Sequence, residues 1–353
     1  MSSFDPTNVN LNTASVEDIY CYLQLSENDY NGHLGARISS IFVTLITSSA
    51  ATLFPVAAKR IPRWNIPYPV YLFARYFGTG VIVATAFIHL LDPAYESIGT
   101  TTCVGVSGHW ADYSWCAAIV LASVIMVFLM DVASEVYVER VYGVEREHDA
   151  TDRFLIQASL IQSDDEYAVS GDSCGRKQPE SQETLSIESE RSFRKDIAAF
   201  LILEFGIIFH SVIIGLNLGV TGDEFTTLYP VLVFHQAFEG LGIGARMSAL
   251  RFGRHQWLPW ILCMAYGLTT PIAIAIGLGV RTTYNSGSKT ANIVQGVLNA
   301  ISAGILIYSG LVELLARDFL FDPDRTKRRS HLLGMLLCVL LGAGIMALIG
   351  KWA

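Results

Sequence analysis

LILEFGIIFHSVIIGLNLGVTGDEFTTLYPVLVFHQAFEGLGIGARMSAL, residues 201–250, holds two apolar stretches joined by a short polar turn. His210 and His235 each begin one ten-residue pattern: a histidine, four residues, Gly-Leu, two residues and Gly. The first copy ends at Gly219 and the second at Gly244, with Glu239 four residues after His235. Apolar stretches of this length cross hydrocarbon as helices, where ionisable side chains are costly and functional by default. Two histidines and a carboxylate in that setting predict a metal site inside a membrane.

Composition agrees: 52% of the 353 residues are hydrophobic, 16% are charged and the mean hydropathy is +0.41, which is too apolar for a soluble globule. Span-length apolar segments occur near 34–58, 69–91, 113–135, 196–219, 228–250, 257–280, 291–316 and 331–350. The expectation is an all-α integral membrane protein with eight transmembrane helices. No segment shows the alternating pattern of a membrane barrel. Residues 1–33 read as an extracellular N-terminal segment without a signal peptide, 34–139 as helices 1–3, and 196–353 as helices 4–8. Residues 140–195, rich in Ser, Glu and Asp, read as a disordered cytosolic loop.

Twenty of the 24 Lys and Arg residues lie on or flank the connections after the first, third, fifth and seventh segments. The excess of basic residues marks the cytoplasmic side, so both termini are expected outside. The formal charge of −8 belongs to the loops and gives no nucleic-acid surface. On the outer side Asp223 and Glu224 would gather cations. Cys21, Cys103 and Cys116 fall at or near the outer boundary, where an oxidising compartment permits a disulfide such as Cys103–Cys116; Cys174 is expected reduced. Gly215 with Gly219, Gly240 with Gly244, and Gly342 with Gly344 have helix-packing spacing, and the fourth and fifth segments are expected to pack tightly, antiparallel to each other.

A rise of 1.5 Å per residue places His210 about 21 Å from the cytoplasmic edge and Glu239 about 15 Å from the outer one. The trio can therefore meet near the midplane. His235 and Glu239, four apart, share a helix face, and with His210 they give three protein ligands for a zinc-type ion. Ser211 and Gln236 occupy matching places beside the histidines as weak oxygen ligands or hydrogen-bond partners. His89, Asp92, Asp223 and Glu224 are candidates for the approach path and Glu204 for release. Asn217 shares the His210 face, with contact between helices as its alternative role; Glu313 reads as a helix-end group and Asp131 as interhelical contact or function.

At these residues the chain resembles the ZIP family of zinc and iron transporters, and within it the fungal zinc-regulated plasma-membrane importers. The resemblance is carried by GARISS (35–40), FARYFGTGVIVATAFIHLLDPAYESIG (73–99), 201–219, 229–250, YGLTTPIAIAIGLGVRT (266–282) and AISAGILIYSGLVELLARDF (300–319). It implies eight helices with inverted three-helix repeats around a central pair, helices 4 and 5, and transport metal held by His210, His235, Gln236 and Glu239. Two-metal bacterial members carry a glutamate where this chain has Ile214, and Thr270 stands where another carboxylate is expected, so one metal is expected. The loop lacks the histidine run of many relatives and keeps only His148. Zn²⁺ is then substrate, not cofactor, with Fe²⁺, Mn²⁺ and Cd²⁺ as competitors. Other expected partners are the lipid bilayer, a second copy in a homodimer, and ubiquitin at Lys177 or Lys195. The chain carries no GxxxxGK[ST] loop, which points to alternating access without ATP. An intramembrane zinc hydrolase would want an HExxH-type pair, absent here; a bis-histidine haem protein could use His210 and His235 as axial ligands.

Overall fold

The computed structural model describes residues 13–25, 30–61, 66–142, 182–250, 252, 255–321 and 328–352, which include no strand. The helices are α1 (Val16–Gln24), α2 (Leu34–Arg60), α3 (Tyr68–Ala84, continuing as a π-helix, Thr85–Leu91, and an α-helical piece, Asp92–Ile98), α4 (Trp115–Tyr142), α5 (Gln182–Val220), α6 (Phe225–Ala249), α7 (Leu258–Val280), α8 (Lys289–Tyr308, continuing as a π-helix, Ser309–Phe321) and α9 (Arg329–Gly350). Seven of them are long and apolar enough to cross a membrane. The remaining expected span is α6, 25 residues long, whose apolar run is broken by His235, Gln236 and Glu239, all buried.

Two compact units are present, Met1–Leu129 with Ala199–Ala353, and Met130–Ala198. The smaller contains the end of α4 and the start of α5. Of the 140–195 segment expected as a disordered loop, 143–181 lies outside the described residues, with His148, Cys174 and Lys177; 182–195 is already helix. The helical start agrees with a sequence free of Gly and Pro from Gln182 to Phe205.

In the larger unit, α2 packs against α6 and α7, and α3 against α6 and α9. The small residues decide which helices come close. A Cβ on Gly215 would lie 2.7 Å from the Cβ of Ala273, and one on Gly244 would lie 2.1 Å from the Thr52 carbonyl oxygen. The glycine stripes of α5 and α6 thus face α7 and α2 rather than each other. Where α5 and α6 meet, contact is made by side chains, His210 Nε2 lying 3.2 Å from His235 Nε2.

Arg37, fully buried on α2, secures the end of α5. It donates to the carbonyl oxygens of Leu218 (3.1 Å), Gly219 (3.2 Å) and Thr221, groups a helix end leaves without partners. Its guanidinium also lies 4.4 Å from the Phe225 ring centroid, a favourable cation–π arrangement.

Cys103 is bonded to Cys21, not to Cys116. Cys116 is a buried free thiol, packed with Ala94, Ile98, Val104 and Ala300. The helix α1, capped by Ser15, whose Oγ accepts from the Asp18 amide at 3.0 Å, brings Cys21 to Cys103 instead; Gln24 Oε1 accepts from the Cys103 amide at 2.6 Å.

Candidate metal site

The repeat read from the sequence closes into one cluster. His210 on α5 and His235 and Glu239 on α6 are all buried, and each offers a ligand atom within 4.8 Å of the others. The Nε2 atoms of the two histidines are 3.2 Å apart, and His235 Nε2 lies 3.8 Å from Glu239 Oε2. Helical spacing accounts for the second distance, because residues four apart stack on one face. It is the antiparallel arrangement of α5 and α6 that brings in His210.

Glu239 is held from one side only. Tyr266 on α7 lies with its hydroxyl 3.1 Å from Glu239 Oε2 and 2.9 Å from Gln236 Oε1, while Gln236 Nε2 donates to Thr270. Glu239 Oε1 and His210 Nδ1 are buried without partners. Unmet buried polar atoms are costly, and a cation between the trio would satisfy the carboxylate. In this structure Gln236 is engaged with α7, through Thr270 and Tyr266, the latter also reaching Glu239. Ser211 is buried beside His210 with its Oγ unpartnered. Ile214 lines the approach to the site and offers no oxygen for a second ion.

A cavity of about 470 Å³ leads to the two histidines. Glu224, Thr221, Ser286 and Gly287 line it at one end and His89, His210 and His235 at the other. His89 meets His235 edge-on, ring centroids 4.8 Å apart, and its Nε2 lies 3.2 Å from the Met346 carbonyl oxygen. Asn217 also lines the cavity; its Oδ1 accepts from Gln295 Nε2 at 3.2 Å.

The other expected approach residues separate. Asp92 is exposed and outside the cavity lining, where Glu96, one turn on, takes that place. A π-helix over Thr85–Leu91, with a wider turn than an α-helix, precedes this stretch. Asp223 accepts from Asn31 Nδ2 at 2.8 Å and is not in the cavity lining; Glu224 is. Glu204, 3% exposed, lies outside that lining and has an unpartnered Oε2. Glu313 pairs with Arg317 at 3.3 Å, consistent with its reading as a helix-end group. Sequence reasoning missed Tyr266, Glu96 and Asn299. Asn299, a polar residue in the apolar 291–316 stretch, was the one with a visible signal; Tyr266 had none, because its partners come from another helix.

Apolar helices of membrane length converging on a buried two-histidine, one-carboxylate cluster, with a polar cavity above it, define a multispan membrane protein that handles metal ions. The model of the ZIP zinc transporter family matches residues 34–350, and the chain belongs to that family. It is 56% identical to zinc-regulated transporter 1 of Saccharomyces cerevisiae, an alignment covering 99% of this chain and 97% of that one. It is 41% identical to zinc-regulated transporter 1 of Schizosaccharomyces pombe, over 92% and 88% of the two chains, and 34% identical to zinc-regulated transporter 2 of S. cerevisiae, over 93% and 96%. Family membership makes this chain a transporter rather than an enzyme.

Proposed function

We propose that the protein imports Zn²⁺ through the plasma membrane into the cytosol, holding one ion at a time between His210, His235 and Glu239. The observation that carries this is the buried trio, two of whose members, His210 and His235, line a polar cavity. Two imidazoles and a carboxylate suit zinc, and an incomplete shell finished by water suits an ion that must be released. The same donors also accept Fe²⁺, Mn²⁺ and Cd²⁺, which are the expected competitors.

Basic residues concentrate on the connections opposite Asp223 and Glu224, which supports both termini lying outside. The cavity is then the outward-facing access route, with Glu96 and Glu224 meeting the ion first. Glu204, six residues before His210 and about 9 Å along the helix, would receive the ion when the opposite side opens. No reaction or haem chemistry is assigned to the histidines: the family relatives are transporters, and Tyr266 and Gln236 support Glu239 as a ligand.

Flux into proteoliposomes tests the reading. Purified protein should take up radiolabelled zinc down a gradient without ATP, saturably, and with competition by the other first-row ions. Tight zinc binding without flux would make it a sensor and sink the proposal.

A further inference from the structure

The helix α8 turns a polar row toward α5: Gln295, Asn299 and Ser302, spaced four and three apart, lie on one helical face. Their register against α5 is fixed at two points. Asn217 Oδ1 accepts from Gln295 Nε2 at 3.2 Å, and a Cβ on Gly206 would lie 2.4 Å from Leu306 Cδ1. Between those points the antiparallel pair sets Ser302 level with His210, and Asn299 about one turn nearer the cavity mouth.

The three members of the row differ in how they are satisfied. Gln295 is occupied by Asn217 and by the Tyr284 hydroxyl, 3.1 Å away. Asn299 is 5% exposed, lines the cavity together with His210 and His235, and has an Oδ1 with no hydrogen-bond partner. Ser302 is fully buried with its Oγ likewise unpartnered. Some buried helix hydroxyls return to their own backbone, Ser48 to the Thr44 carbonyl at 2.8 Å, Thr52 to Ser48 at 2.7 Å and Ser123 to Ile119 at 2.9 Å; those of Thr44, Ser49 and Thr85, like that of Ser302, have no partner. What sets Asn299 apart is that its unpartnered oxygen belongs to a side chain lining the same cavity as His210 and His235.

We propose that Asn299 is a fourth metal ligand, its amide oxygen binding the divalent cation on the mouth side of His210, His235 and Glu239; this rests on the trio being the transport site. Amide oxygens are established ligands of hard divalent ions. A neutral oxygen completes a four-ligand shell without adding a second negative charge, so the ion gives up a water on arrival and remains releasable. Hard donors favour Zn²⁺, Fe²⁺ and Mn²⁺ over the softer Cd²⁺, which makes Asn299 a determinant of selectivity.

The test is zinc binding to the purified full-length protein, measured by competition with a fluorescent chelator, for Asn299→Ala, Asn299→Asp and His210→Ala. Asn299→Ala is expected to weaken zinc binding about tenfold, a loss on the scale seen when one supporting contact to a metal is removed, and to raise the relative potency of Cd²⁺ as a competitor. Asn299→Asp should bind zinc at least as tightly as the wild type. Wild-type zinc affinity and metal ranking in Asn299→Ala, with binding lost in His210→Ala, would overturn the Asn299 assignment alone. Retained binding in His210→Ala would remove the trio and this ligand with it. Should the alanine variant not fold, Asn299→Asp decides: zinc must raise its melting temperature more than it raises that of the wild type, and an equal or smaller rise overturns the proposal.

Discussion

The Nε2 atoms of His210 and His235 sit 3.2 Å apart although 25 residues separate them. Two nitrogens bound to one tetrahedral zinc at about 2.0–2.1 Å are about 3.3 Å apart, so the two helices already hold the imidazoles at the edge length of a coordination tetrahedron. His210→Ala, His235→Ala and Glu239→Ala should each reduce radiolabelled zinc uptake to background at normal surface abundance. Wild-type uptake by any of the three would remove that residue from the site.

Metal binding requires both imidazoles neutral and the carboxylate ionised, so protons compete with zinc for the same atoms. Uptake should fall as external pH is lowered, because a proton on any of the three ligand atoms must leave before the ion binds. The half-saturating zinc concentration should rise with it. Acid-stimulated uptake at sub-saturating zinc would contradict this.

Tyr266 fixes Glu239 from behind through a contact of 3.1 Å. Tyr266→Phe keeps the ring and deletes the hydroxyl, leaving Glu239 Oε2 and Gln236 Oε1 short of a partner. Loss of such a supporting contact costs about 10- to 100-fold in metal affinity, and the half-saturating zinc concentration should rise by that factor with abundance unchanged. An unaltered zinc dependence would leave Tyr266 a packing residue.

Arg37 is fully buried and serves three carbonyl oxygens at the end of α5. Arg37→Ala should destabilise the fold by about 3 kcal/mol, the scale of lost charged hydrogen bonds with their acceptors left buried, and appear as reduced surface abundance. Arg37→Lys, a point charge that cannot reach three acceptors in fixed directions, should recover only part of it. Thermal melting of the detergent-purified variants measures both.

The Cys21–Cys103 bond closes a separation of 82 residues. Loop entropy alone assigns such a crosslink about 4.5 kcal/mol. Cys103→Ser should lower the melting temperature and abolish the shift that reductant causes in the wild type, whereas Cys116→Ser should leave the reductant shift in place.

Sequence carried the central cluster because two of its members share a helix face and the third heads a copy of the same motif. Periodicity reports one helix at a time, and it served for His235 with Glu239. Whatever depends on how helices lie against one another was out of its reach: the Tyr266 hydroxyl on Glu239, the turning of Gly215 and Gly244 toward α7 and α2, and the pairing of Cys103. Nor could sequence tell that Glu96 rather than Asp92 lines the cavity, since a π-helix intervenes between Thr85 and Leu91.

Under alternating access, an ion held by His210 and His235 where they line the cavity moves on only when the carrier changes conformation. Throughput is then counted in conformational cycles. Motions of this kind take microseconds to milliseconds, which caps each molecule at about 10³ to 10⁶ ions per second however steep the gradient. A cell short of zinc cannot drive such a protein harder; it can only place more copies in its membrane.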